Sequence, residues 1–307
     1  MDEKHCDSCD NAECSARSQR PEESLDEFLE RQALAERMCR IGRKIVVLSG
    51  KGGVGKSTVA VNLAVALSVA GQRVGLLDVD IHGPSVPRML NLDEARIATQ
   101  NGSILPVEVG SLKVMSIGFL LNSSDQAVIW RGPMKMGVIK QFLKDVLWGE
   151  LDHLIVDCPP GTGDEPLSVI QLLGNADGAV VVTTPQDVAL QDVRKSVTFC
   201  RQLGLPVLGV VENMSGFACP KCGETVDIFK KGGGEAMATE MSIPFLGRVP
   251  ITQGVVDSGD AGRPCIYHDP NDLAAKAFQR IADTLSAELA AARPAAEKGS
   301  AADGHQQ

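Results

Sequence analysis

The chain contains no apolar run long enough to cross a membrane. Its most apolar stretch, residues 59–70, is broken by Asn62 and Ser68, whereas a span needs roughly 18 uninterrupted apolar residues. No hydrophobic segment follows the acidic, polar start at Met1–Asp10, so neither a secretory signal nor a transit peptide is expected and the protein reads as cytoplasmic. A surplus of basic charge is also missing. The formal net charge of -9 argues against the broad basic face that a phosphate backbone requires, so neither nucleic acid nor membrane is an expected partner. Internal repeats are absent. What remains is an ordinary globular composition, 307 residues at 44% hydrophobic and 22% charged, enough for a sizeable core.

Cysteine is present in an odd number, nine. A chain of this length needs no disulfide staples, so thiols acting as metal ligands are the better reading. Five of them cluster: Cys6-Asp-Ser-Cys9 with Cys14 beyond it, and Cys219-Pro-Lys-Cys222. Cys39, Cys158, Cys200 and Cys265 are scattered and read as small buried apolar residues.

Residues 1–23 are polar and without apolar periodicity, a flexible cysteine-bearing tail that only a metal would organise. An amphipathic linker helix is predicted over 24–40, with Ser24 as its N-cap and Glu27 three residues on. The body, 41–291, alternates short β-branched runs with helical stretches. The runs are Ile45–Leu48, Val74–Leu77, Leu154–Val156, Ala179–Thr183, Val207–Val211 and Phe245–Val249. This is the pattern of an α/β fold whose mostly parallel sheet is flanked by helices. Asn101-Gly102 predicts a β-hairpin through a type I′ turn, the last helical stretch ends near 291, and 292–307 reads as a disordered tail.

Directly after the first strand comes Gly50-Lys51-Gly52-Gly53-Val54-Gly55-Lys56-Ser57-Thr58, running into an apolar helix. This is the phosphate loop G-x-x-x-x-G-K-[ST] in its strand, loop, helix context. The glycines let backbone N–H groups curl around phosphate oxygens, the helix N-terminus adds its dipole, Lys56 neutralises β/γ charge and Ser57 ligates Mg2+. ATP and Mg2+ are therefore the expected ligands. Two acidic strand ends complete the site: Asp80 of Asp78-Val79-Asp80 to orient the attacking water, and Asp157 to hold Mg2+ through its water shell. Helix capping or turn formation remains open for these aspartates, for Asp78 above all. After Asp157, the Pro159–Asp164 segment suits a loop that senses the γ-phosphate.

A lone Cys219-x-x-Cys222 supplies two thiolates where a zinc site or iron-sulfur cluster takes four. A twofold dimer in which each copy donates the pair is one completion, and a redox-active dithiol is another reading. His82 and His153 receive no assignment.

The loop resembles the deviant phosphate-binding motif of the MinD/ParA/nitrogenase-iron-protein group. Asp157-x-Pro159-Pro160-Gly161-Thr162-Gly163-Asp164, Thr184-Pro185-Gln186-Asp187 and Glu212-Asn213-Met214-Ser215-Gly216 with the C-x-x-C behind it narrow the resemblance to the Mrp/ApbC family of iron-sulfur cluster carriers, over about 40–290. That resemblance implies a MinD-like P-loop NTPase and a slow ATPase. It implies a homodimer bridging a labile [4Fe-4S] cluster through Cys219 and Cys222 and passing it to apo iron-sulfur client proteins. Lys51 would reach the partner copy's nucleotide, Asn213 the adenine, and Asp80 would lie in the first switch loop. Cys6, Cys9 and Cys14 resemble the extra cluster motif of the eukaryotic cytosolic scaffold branch, one ligand short of its four cysteines. A positioning ATPase of MinD/ParA type and an electron donor like the nitrogenase iron protein are the alternatives.

Overall fold

A computed structural model describes residues 18–121 and 132–299, with side chains to residue 291. Cys6, Cys9 and Cys14 lie outside the described residues. The first helix, α1 (Leu25–Met38), begins where the sequence places it. Ser24 Oγ accepts from the Glu27 amide at 3.2 Å, and the Glu27 carboxylate accepts from the Ser24 amide at 2.9 Å, so two orphan donors of the helix start are satisfied reciprocally.

β1 (Ile41–Ser49) follows, then α2 (Lys56–Val69), β2 (Val74–Asp78) and the short α3 (Val86–Met89). A predicted hairpin, β3 (Ala98–Gln100) and β4 (Ser103–Leu105), turns through Asn101 and Gly102 at φ 51° and 79°, the left-handed pair a type I′ turn demands. β5 (Val107–Val109), β6 (Leu112–Ser116), α4 (Gly132–Asp145), β7 (Leu151–Asp157), α5 (Asp164–Leu173), β8 (Gly178–Thr183), α6 (Asp187–Gln202) and β9 (Val207–Glu212) come next. A small hairpin, β10 (Phe217–Ala218) and β11 (Thr225–Val226), leads to α7 (Gly233–Glu240), β12 (Phe245–Arg248), α8 (Gln253–Asp260), α9 (Cys265–His268) and α10 (Leu273–Gly299).

Eight strands form one sheet in the order β12-β9-β8-β1-β7-β2-β6-β5, parallel throughout except for β5 on β6. Ile45, Val46, Val47 and Leu48 of β1 are buried to 1% exposure or less, as a strand covered by helices on both faces must be. Both neighbours of β1 come later in the chain, and the phosphate loop leaves its carboxyl end at this switch of strand order, where α/β sheets bind ligands. Helix α2 is buried almost all round, with Val59, Leu63 and Leu67 at 1% or less, and packs between the sheet and α10.

Several elements depart from the sequence expectation, β6 and the end of α10 among them. β6 is absent from it, because Lys113 interrupts the apolar run; in the fold that lysine reaches out to donate to the Trp148 carbonyl at 2.8 Å. Helix α10 extends to Gly299, past the point near 291 where the last helical stretch was expected to end, with Pro294 the one residue there that opposes a helix. Among the described residues no helix is long and apolar enough to cross a membrane.

Candidate functional site

The phosphate loop is shaped by what its glycines avoid. Gly53 and Gly55 both stand at φ +79°, and a Cβ on Gly55 would lie 2.2 Å from Asn213 Nδ2. A left-handed backbone in that contact admits no side chain. Lys51, Gly52, Gly53, Gly55, Lys56, Ser57, Thr58 and Asp80 line a cavity of about 240 Å³, to which Gly83 and Pro160 also contribute. That volume lies below the roughly 300–1,000 Å³ of whole-ligand pockets, so it matches the phosphate end of a nucleotide. Val54 instead turns inward at 2% exposure.

Inside the cavity the charges are paired with one another. Lys56 Nζ lies 2.6 Å from Asp157 Oδ1 and 3.4 Å from Asp80 Oδ2. Burial alone would lower the lysine's pKa, but Asp157 and Asp80 outweigh it and hold the ammonium above the ordinary lysine range. The β2–β7 register sets Asp78 directly beside Asp157, both fully buried. Burial, reinforced by the neighbouring Asp157 charge, pushes the Asp78 carboxyl up to about 8; Ser116 Oγ donates to it at 2.8 Å and the Asp80 amide at 3.1 Å. Asp78 is thereby a buried acid of the strand end rather than a surface turn residue. Burial also raises Asp157, with Lys56 opposing.

Among the described residues Asp157 Oδ2 has no hydrogen-bond partner, and a buried orphan oxygen calls for one. Beside the Ser57 hydroxyl it fits Mg2+, which keeps most of its own waters and takes one or two protein oxygens.

Asn213 sits at the end of β9 against the loop, its Nδ2 donating to the Val54 carbonyl at 2.9 Å. Next to it Glu212, fully buried, accepts from the amides of Gly232 at 2.9 Å and Gly234 at 2.5 Å and from Ser215 Oγ at 2.5 Å. It thus anchors the N-terminus of α7, where a carboxylate is favoured. Sequence reasoning missed this role, although the run Gly232-Gly233-Gly234 signalled an anion-binding turn. Met214 follows in the left-handed region at φ 56° and turns the chain toward β10.

Cys219 and Cys222 occupy the tip of the β10–β11 hairpin as free thiols, the first half-buried and the second exposed. The Cys219 amide donates to the Glu224 carbonyl and the Gly223 amide to the Cys219 carbonyl, both at 2.9 Å. Amides of Cys222 and Lys221 point at the Cys219 sulfur and hold its pKa below the ordinary thiol value, as in a turn made for a thiolate. Among the described residues no three His, Cys, Asp or Glu side chains gather as a metal site, so this hairpin offers two ligands. Phe217 bridges to Ile251, and the Ile251 amide donates to the Gly216 carbonyl at 2.8 Å, tying the hairpin to the body.

Of the scattered cysteines, Cys158, Cys200 and Cys265 are buried, and burial raises all three thiols, the last two to about 12. Cys39 differs from expectation: it is exposed at the end of α1, its thiol donating to the Glu36 carbonyl.

A phosphate loop at the switch point of a mostly parallel sheet, faced by acidic ends of β2 and β7, defines a P-loop NTPase of MinD/ParA type. Residues 40–286 match the family described as ParA: NUBPL iron-transfer P-loop NTPase, and the chain belongs to that family. It is 49% identical to the iron-sulfur cluster carrier protein of Methanocaldococcus jannaschii over 81% of this chain and 85% of that one. With the cytosolic Fe-S cluster assembly factor NUBP2 homolog of Culex quinquefasciatus it shares 50% identity over 81% and 99%. Among solved structures it resembles the nucleotide-binding protein of Archaeoglobus fulgidus in complex with ADP, at a TM-score of 0.69 and 40% identity over 78% of this chain and 93% of that chain. The cell division ATPase MinD of Pyrococcus furiosus matches at a TM-score of 0.56 and 25% identity over 80% and 99%.

Proposed function

We propose that this ATPase is a cytoplasmic carrier in which two copies hold a labile [4Fe-4S] cluster through Cys219 and Cys222 of each and pass it to apo-proteins. The observation that carries the reading is the pair of free thiols on a surface hairpin, two ligands short of a closed site, beginning six residues beyond the asparagine that touches the phosphate loop. Thiolates that are accessible and shared across a symmetric junction assemble and release cargo readily. The names of the methanogen and mosquito relatives support the same cargo.

ATP enters with its phosphates over Gly52–Thr58. Lys56 then exchanges its two carboxylate partners for β/γ oxygens. Asp80, the more distant partner at 3.4 Å, is released to orient the attacking water. Asp157 and Ser57 would hold Mg2+, which when bound would supply positive charge against the developing phosphate charge. Asn213 meets the base, and Lys51 extends to the partner copy's nucleotide.

The test is anaerobic purification with iron, sulfide and zinc quantified per chain, on the wild type and on Cys219→Ala/Cys222→Ala. Iron with sulfide, lost in the variant together with transfer to an apo-protein while ATP still binds, is the expected result. Zinc instead, or iron retained by the variant and so assigned to Cys6, Cys9 and Cys14, overturns it.

A further inference from the structure

Lys135 stands near the start of α4, away from the phosphate loop, yet its side chain is only 11% exposed. Its Nζ lies 2.5 Å from Glu165 Oε1 and 3.1 Å from His82 Nε2. Those partners belong to different loops of the nucleotide cavity. His82 follows Asp80 by two residues in the loop after β2, which also supplies Gly83 and Ser85 to the cavity wall. Glu165 lies in the first turn of α5, at the end of the loop after β7, which supplies Pro160. An ammonium only donates, so the His82 nitrogen that meets it accepts, and the ring proton sits on Nδ1. The 3.3 Å approach of that nitrogen to Glu165 Oε1 is then two acceptors drawn together around one cation.

A lysine placed this way costs desolvation and rotamer freedom, and an apolar residue would fill the space with less penalty. What the lysine adds is a direct link between the two loops beyond the bonds that Val79, Asp80 and Gly161 already make. The first loop contains Gly83 and Pro84; the second contains Gly161 at φ +95° and then Gly163. Val79 is tied by its amide to the Asp157 carbonyl at 3.1 Å and Gly161 to the Ser49 carbonyl at 2.8 Å. Past those two bonds the loops run on to His82 and Glu165, where Lys135 joins them.

We propose that Lys135 is a positioning residue for ATP hydrolysis, a clamp that locks the loop bearing Asp80 to the loop that follows Asp157. The proposal rests on the reading of Asp80 as the group that orients the attacking water. With the clamp closed, Asp80 is held at the cavity edge. With it open, the loop after β2 swings about its glycine and the water is left unoriented while the phosphates remain bound.

Lys135→Met keeps the stem and removes the charge, Glu165→Gln breaks the same link from the other side, and Lys135→Arg is the conservative variant. ATP hydrolysis, nucleotide affinity by calorimetry and melting temperature are measured on each full-length protein. The expected result for Lys135→Met is a fall in kcat of about 10- to 100-fold, the scale of a small misplacement, with nucleotide affinity held within about twofold. Glu165→Gln should match it, the double variant should be no worse than either single, and Lys135→Arg should recover much of the loss. Should Lys135→Met fail to fold, Glu165→Gln and Lys135→Arg still read the link. An unchanged kcat overturns the proposal, and so does a loss of affinity or melting temperature that parallels the loss of rate. Asp80→Asn separates the underlying reading: if that variant hydrolyses ATP at the wild-type rate, Asp80 does not orient the water, whatever Lys135 does.

Discussion

Lys56 meets two carboxylates, Asp157 and Asp80, where a nucleotide would present phosphates, and the third carboxyl, Asp78, is left as the odd acid. Its ordinary value of 3.8 is raised to about 8, so between those values the folded chain binds a proton that the unfolded chain has lost. The contribution of this group to stability therefore falls as pH rises through that window. Asp78→Asn should flatten the slope and leave the variant the more stable near pH 8, which denaturant titration across pH 5–9 will check. Gly55→Ala tests the loop itself. A methyl at φ +79° costs roughly 1–2 kcal/mol in a left-handed residue and collides with Asn213 Nδ2. The variant should lose nucleotide binding in calorimetry and melt several degrees lower.

At the scale of elements, the segment from β9 to β11 joins the phosphate loop to the thiols. Glu212 is its fixed point, since its carboxylate takes both glycine amides at the α7 start. In Glu212→Gln the amide must turn an N–H toward one of those donors. The loss should be about 1–3 kcal/mol for an unsatisfied buried group, read as a lower denaturation midpoint and faster release of bound iron to a chelator. The Cys219 turn makes a chemical prediction: with its pKa held down by the Cys222 and Lys221 amides, Cys219 is alkylated at lower pH than an ordinary thiol. Lys221→Pro, which removes one of those donors, should shift that profile upward. Much of this scale was legible in the chain. Ile45–Leu48 and Ala179–Thr183 announce strands by β-branched runs, and Gly50–Thr58 announces its loop by spacing alone. The Asn101-Gly102 turn was equally plain. Lys135, His82 and Glu165 were not legible, because each is an ordinary polar residue on its own segment and only the packing of α4 against both loops gives them a common purpose. Asp78 was ambiguous for a related reason: a strand-end aspartate reads as a turn residue until the register puts it beside Asp157, away from water.

For the whole molecule the central question is how two copies meet. Lys51 lines the phosphate cavity, and in the proposed dimer it crosses to the partner. Lys51→Gln should keep nucleotide binding within a few fold while abolishing ATP-dependent dimer formation in light scattering; a dimer that forms regardless would move the junction elsewhere on the surface. The order of the sheet has a consequence for how the protein is made. β1 has no neighbour until β7 and β8 exist, and the groups around the phosphates come from residue 49 to residue 213. Contacts of such sequence separation form late. A chain emerging from the ribosome therefore cannot grip a nucleotide until most of it has been synthesised, and the thiol hairpin appears only after every strand that faces the phosphate loop. Retention on immobilised ATP should thus be absent from stalled nascent chains that expose residues up to about 175 and appear once β9 has cleared the tunnel, which makes cargo loading an event in the life of the finished protein.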